Sequence, residues 1–378
     1  MSLSFPTFRD TESDPRRPRP CRIHPDLETT HPQHRHITLK VQILENRRYA
    51  YSPSKTQQRS HWQKWQGLCA EILNQCSSLQ DVGITFTSDF TAQLSPRNAR
   101  DYRTLFGRPD LNIGGILNGL RACKNLRRLH FIDPSPLEEY GPSLQSWTRL
   151  QSASIALSSA FTEIAKLPET AFCPPRDLEE LSIHDQSDGT YPWPLESDIT
   201  RCIDLKVLDL GIASLKQPNT VIAIGFLVHS YQNTLTELCL RRFQASFHHP
   251  TTEGAVTCFT DIFESFSSKE PFQRLSFPQL QTLRIMSHEP VDLFASFEAR
   301  QLTQVHLGSL RGNPPITDDE DDSSTAAKEY WKRKLSVPSL GKVKTLTLSG
   351  VGHEKEDIMA ASAELGIGVI IQPMPNRR

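Results

Sequence analysis

Cysteine, histidine and clustered carboxylates are the side chains whose spacing most directly implies chemistry, and here their spacing implies little of it. Eight cysteines (Cys21, Cys69, Cys76, Cys123, Cys173, Cys202, Cys239, Cys258) are scattered without a C-x-x-C pair, which excludes the usual zinc modules and a thioredoxin-like centre. They read as thiols of a reducing compartment, so a cytoplasmic or nuclear address is expected. His248 and His249 stand as a lone pair beside Pro250, and His353-Glu354 lacks the second histidine of the helical zinc motif. Asp185, Asp188 and Gly189 lack the distal carboxylate of a calcium loop. Neither a phosphate-cradling glycine loop nor a G-x-S-x-G nucleophile turn occurs. The chain is expected to be no enzyme and to use no cofactor or metal. One modification candidate remains: Thr317 directly precedes the acidic run Asp318 to Asp322, as acid-directed kinases require.

The charge balance narrows the partners. Lys and Arg number 42 against 43 Asp and Glu, a formal charge of −1, so no global field attracts a polyanion or an anionic membrane. The longest apolar run, Val221 to Val228, falls far short of the roughly 20 residues of a membrane span. The start MSLSFPTFRD carries no basic segment followed by an apolar one. Neither a nucleic-acid nor a membrane partner is expected. At 378 residues the chain exceeds one compact domain, leaving two domains or an elongated array.

A degenerate repeat organises the chain around these residues. CSSLQDVGITF, CKNLRRLHFID, PRDLEELSIHD, CIDLKVLDLGI, QNTLTELCLRR, FPQLQTLRIMS and EARQLTQVHLG share a leucine (79, 126, 178, 205, 235, 280, 302) with an aliphatic residue or Phe three and five positions later. Composition alone predicts about two or three such matches. TRLQSASIALS and GKVKTLTLSG are weaker copies, and HRHITLKVQIL and ELGIGVIIQP add edges. The last two anchors, two residues apart, share one face of a short strand. Intervals of 22 to 47 residues between first anchors leave room for a helix or an irregular return. Apolar spacing predicts helices over 62–76, 111–123, 221–231, 256–266 and 357–365.

These segments resemble leucine-rich repeats, and HSYQNTLTELCLRRF is similar to the irregular repeats of fungal F-box/leucine-rich-repeat proteins. The resemblance covers about residues 34–373 and implies an α/β leucine-rich-repeat solenoid with short parallel strands and helical or irregular returns. The sequence departs from the repeat consensus where an Asn or Cys ladder stands, with Pro134, Gln186, Ala213, Phe243 and His288 in that place. Residues 1–35 are rich in Pro, Arg, Asp and Thr, carry no recognisable F-box and are expected to form a disordered tail. The F-box is then lost or encoded upstream. The solenoid is expected over 36–373, with an exposed acidic insertion at about 312–326 and a short tail at 374–378. The resemblance implies a non-catalytic protein-protein interaction module, a substrate-recognition subunit that meets a cullin-type ubiquitin ligase through its adaptor. The alternatives are a scaffold or accessory protein with no ubiquitin link, or a GTPase-activating leucine-rich-repeat regulator.

In such a solenoid the residues alternating with the buried anchors line a concave surface. That set includes Asp81, Ser152, Ser154, Glu180, Ser182, Asp209, Glu237, Met286, Gln304, Thr345 and Thr347. The expected partner contacts within it are Arg128, His130, His184, Arg241, Arg284 and His306, because arginine is enriched at interface hot spots and histidine changes charge near neutral pH.

Overall fold

The computed structural model describes residues 2–4, 36–43, 67, 70–71, 73–75, 78–88, 119–120, 122–132, 147–157, 177–185, 204–212, 218–242, 258–267, 275–314, 320–349 and 355–372. The chain divides into two compact units, Met1–Leu178 and Glu179–Arg378. Both are α/β in character, with parallel strands and few helices, and no closed barrel forms among the described residues.

The first unit contains β1 (Ser2–Ser4), β2 (His36–Ile43), β3 (Asp81–Ser88), β4 (Arg128–Ile132) and β5 (Ser152–Leu157). They lie in chain order and every neighbouring pair is parallel. β1 falls inside the segment expected to be a disordered tail: Ser2, Leu3 and Ser4 pair with Thr38, Leu39 and Lys40. The rest of that tail, like residues 373–378, lies outside the described residues.

The second unit holds β6 (Glu180–Asp185), β7 (Val207–Ile212), β8 (Glu237–Arg242), β9 (Leu275–Ser276), β10 (Thr282–Pro290), β11 (Phe297–Glu298), β12 (Gln304–Arg311), β13 (Thr345–Leu348) and β14 (Gly368–Ile371). β9 and β11 form a small parallel pair of their own. The others are ordered β6-β7-β8-β10-β12-β13-β14, again along the chain, with parallel pairing throughout the described ladders. Parallel neighbours require a crossover between them, which is what the long intervals between motifs supply.

Burial follows the motif closely. All nine first anchors are buried, eight leucines at 0% exposure and Val343 at 5%. The second anchors run from Val82 to Leu346 with none above 3%. The third anchors Ile183, Leu210, Leu240, Ile285, Leu307 and Leu348 are fully buried as well. The backbone between first and second anchors is tied from one repeat to the next. The carbonyl of Lys206 accepts the N–H groups of Thr236 and Glu237, that of Thr236 those of Gln281 and Thr282, and that of Gln281 those of Thr303 and Gln304. In the first unit Gln80 receives Arg127 and Arg128, and Arg127 receives Gln151 and Ser152, in the same way. A main-chain ladder of this kind satisfies polar groups next to the core without any asparagine.

Helix α1 (Pro218–Tyr231) starts on a proline, where the missing N–H costs nothing, and buries Val221, Ile224, Leu227, Val228 and Tyr231. Helix α2 (Phe259–Ser267) buries Phe259, Ile262 and Phe263. Phe263 meets Phe297 edge-on at 6.0 Å between ring centroids, and Phe277 meets the same ring at 5.9 Å, the geometry that the ring quadrupole favours. These two helices match the spacing-based expectation to within three residues. The described residues of 62–76 are also helical, as are Gly119, Leu120 and Ala122 within 111–123.

The segment expected to be an acidic insertion is helical in its second half. Residues 320–326 are the first turns of helix α3 (Glu320–Leu335), whose spacing of four buries Ala327, Trp331 and Leu335. Lys332, Arg333 and Lys334 in its last turn complement the helix dipole. Gly312 passes over Trp331 so closely that a Cβ there would sit 2.7 Å from the indole ring. Lys328 and Lys332, one turn apart, both pair with Glu364 of helix α4 (Lys355–Glu364), at 2.5 and 2.8 Å. α4 ends on Gly366 at φ +73, with Ile367 N–H bonding Ser362 C=O and Gly366 N–H bonding Ala363 C=O. That is the left-handed glycine stop, and it turns the buried Ile367 into β14.

Candidate functional site: the outer sheet face of the second unit

The face of the second sheet opposite the anchors carries the residues that alternate with them. Register places Ser182, Asp209, Cys239, Arg284, His306 and Thr347 side by side along one row. The next row aligns His184, Gly211, Arg241 and Met286. Gly211 has no side chain to separate His184 from Arg241, and both lean onto Asp209.

Asp209 is the centre of the cluster. Arg241 donates to it twice, Nε to Oδ1 at 3.1 Å and Nη2 to Oδ2 at 2.9 Å, and His184 Nε2 lies 3.2 Å from Oδ2. Burial alone would raise the Asp209 pKa, but the hydrogen bond and charge of His184 and the charge of Arg241 outweigh it, so the carboxyl lies below its ordinary value. Arg241 Nε also reaches Cys239 Sγ at 3.2 Å. The Cys239 thiol is pushed up to about 11 by burial and by the Asp209 charge, so it is no nucleophile at neutral pH. Cys258 is pushed higher, to about 12, by burial and by Glu289.

The second half of the face is built on Arg284, whose Nε lies 3.3 Å from Glu237 Oε1. His306, in register with Arg284 on the next strand, has its pKa lowered by burial and by the Arg284 charge, with Glu237 acting the other way. Four of the six expected contacts, His184, Arg241, Arg284 and His306, thus share one face of the second unit. Arg128 and His130 belong to the first unit. There Arg128, with a side chain 72% exposed, lies 3.8 Å from Asp81, and His130 Nδ1 is 3.0 Å from Ser154 Oγ. Thr317 lies outside the described residues.

Ser182, His184 and Asp209 invite comparison with a hydrolytic triad, because Ser182 Oγ is 3.0 Å from His184. The arrangement does not support that chemistry. Ser182 and Asp209 approach the same ring nitrogen, Nε2, whereas a relay needs the base and its orienting carboxylate on opposite nitrogens. Asp209 is moreover held by Arg241. Among the described residues no group of three or more His, Cys, Asp or Glu side chains could hold a metal ion, and no helix is long and apolar enough to cross a membrane.

The sequence expectation passed over two participants. Asp209 was one of many alternating residues, yet it organises His184 and Arg241. Cys239 stands between the anchors Leu238 and Leu240, and that alternation alone assigns it to this face. A third group off the face was also invisible: Glu289, fully buried on β10, accepts the N–H groups of Phe259 at 3.1 Å and Thr260 at 3.0 Å and the Thr260 hydroxyl at 2.8 Å. It also accepts the Ser287 hydroxyl, and so caps α2 from a distant strand. No family model matches the chain, and no curated protein matches it.

Proposed function

We propose that the chain is a degenerate leucine-rich-repeat solenoid that acts as a non-catalytic protein-protein interaction module, with the outer face of the second unit as its docking surface. The observation that carries this reading is the division of the motif between buried anchors and a polar face. Every described anchor is buried, while the residues between them form polar rows that carry two ion-paired groups, His184 and Arg241 on Asp209 and Arg284 on Glu237. Such a row is fixed in position by strands at about 4.8 Å spacing, which suits recognition of another protein's surface. Arginine held by a carboxylate is preorganised and loses little freedom on binding.

The likeness of the repeats to fungal F-box/leucine-rich-repeat proteins supports a narrower role, substrate recognition for a cullin-type ubiquitin ligase. Affinity capture from native extract tests both levels, comparing the full chain with an Arg284→Glu, His306→Glu variant. The proposal expects a protein recovered by the native chain and depleted at least tenfold by the variant. Co-recovery of the ligase adaptor supports the ligase role, and a face-dependent partner with no ligase component makes the protein a scaffold. Equal recovery by both chains refutes the docking face.

A further inference from the structure

We propose that this face receives an extended acidic segment of the partner, with two carboxylates two residues apart seated on Arg241 and Arg284 and an apolar side chain packed on Met286. The inference rests on the docking-face reading above and names the chemistry of what docks.

Exposure separates the two signs of charge. The side chains of Asp209 and Glu237 are 17% and 32% exposed, whereas those of Arg241 and Arg284 are 42% and 44% exposed. Asp209 therefore lies deeper than the guanidinium group it bonds, Glu237 is somewhat less exposed than the one it pairs with, and arginine is the more accessible charge of each pair. Asp209 engages Nε and Nη2 of Arg241 and leaves Nη1 unengaged. The nearest approach of Arg284 to Glu237 is Nε to Oε1 at 3.3 Å, Nε is buried without a hydrogen bond, and the terminal nitrogens of the fork make no hydrogen bond to the described residues. A planar fork with open N–H groups is the geometry that a carboxylate fills.

Spacing sets the length of the ligand. Met286 is in register with Arg241, and Arg284 with Cys239, so the two arginines are diagonal neighbours on adjacent strands. A strand spacing of about 4.8 Å and two rises of about 3.3 Å put their Cα atoms roughly 8 Å apart. Same-side residues of an extended segment repeat at about 6.6 Å, which the arginine stems accommodate. Met286, 38% exposed, stands beside Arg241 and offers a soft apolar contact between the charged pairs. The remaining charged group of these rows, Glu180, lies on β6, two strands away from Arg241 on β8.

The test uses the purified full chain and three fluorescein-labelled nonapeptides with central Glu-Ser-Glu, Gln-Ser-Gln or Lys-Ser-Lys, read by fluorescence anisotropy. The expected result is at least tenfold tighter binding of the Glu-Ser-Glu peptide, weakened by added salt. Arg284→Gln should weaken it about tenfold or more, with Arg284→Lys intermediate because it keeps the charge and loses the fork. Melting temperatures of both variants should match the parent, since Arg284 is half-exposed, and Met286→Ala gives a second reading without a charge change. Equal binding of all three peptides, no binding at all, or acidic binding indifferent to Arg284→Gln overturns the inference. Preference for the Lys-Ser-Lys peptide, lost on Glu237→Gln, overturns it while leaving the face a docking surface. The docking-face reading itself fails separately, if captured partners ignore the Arg284→Glu, His306→Glu variant.

Discussion

Replacing Glu289 by alanine removes the acceptor for the start of α2 and should loosen that helix specifically. Phe259 N–H, Thr260 N–H and the Thr260 hydroxyl all end on this carboxylate, and both residues that supply them are buried, at 0% and 2% exposure. Water cannot readily replace the lost acceptor. An unsatisfied buried donor costs about 1–3 kcal/mol and loss of a helix cap about 0.5–2 kcal/mol. Relief of the carboxylate's own burial offsets part of this, so a net loss of about 3 kcal/mol is expected, in line with breaking a buried charged network. The assay is amide hydrogen exchange across 258–267 in the full chain, where protection should fall by about a hundredfold for that loss. Glu289→Gln, which keeps one acceptor oxygen, should fall between.

The same residue makes a pH prediction of definite sign. Burial pushes the Glu289 carboxyl above its ordinary value, even though Ser287, Phe259 and Thr260 donate to it and pull the other way. The native state then holds the proton more tightly than the unfolded chain does, so this group's contribution to stability declines as pH rises from about 4.5 toward the native pKa. Glu289→Gln should abolish that slope. Unchanged protection of α2 in Glu289→Ala, or a contribution from Glu289 that grows with pH in this window, would refute the reasoning.

Three further outcomes follow from the same physics. Leu238→Asp places a charge at a site with 0% exposure and should cost more than about 4 kcal/mol, unfolding the central repeats of the second unit in circular dichroism; an unchanged melting curve would refute the repeat register. Asp209→Asn should cost about 1–2 kcal/mol in urea unfolding, because Arg241 and His184 lose a charged partner while remaining partly solvated. Since the Asp209 pKa is depressed, its contribution is present above about 3.8 and lost as pH falls through the native value, and the variant should lack that acid-side loss. Gly308→Ala should be severely destabilising in a thermal melt, because a Cβ there would lie 2.5 Å from the Ser287 carbonyl oxygen, a backbone atom that cannot swing aside.

The repeat was legible because its physics is local. Leu205, Leu208 and Leu210, or Leu235, Leu238 and Leu240, must be buried together once the segment is a strand, and spacing alone says so. The helices at 221–231 and 357–365 were legible for the same reason, being bounded apolar stripes. Helix α3 was not, because the acidic run Asp318 to Asp322 reads as a solvated loop unless its place at a helix start, ahead of Ala327, Trp331 and Leu335, is weighed with it. Glu289 could not be found from sequence: the helix it caps lies thirty residues earlier, and its alignment with Leu310 depends on a bulge where Met286 and Ser287 face Gly308. At the candidate site the alternation identified the face and four of the six expected contacts, His184, Arg241, Arg284 and His306. The pairing of His184 and Arg241 through Asp209 depends on Gly211 leaving space between them, a consequence of strand register rather than of any motif.

Site-directed photo-cross-linking tests the docking face most directly. A benzoylphenylalanine replaces Gln304, exposed on the outer face of β12, in one chain, and Met359, 43% exposed on α4, in another. The account predicts a discrete protein adduct from position 304 that disappears when Arg284→Gln is added, and none from position 359. An adduct formed from position 359 alone, or one from position 304 that is unaffected by Arg284→Gln, would contradict it.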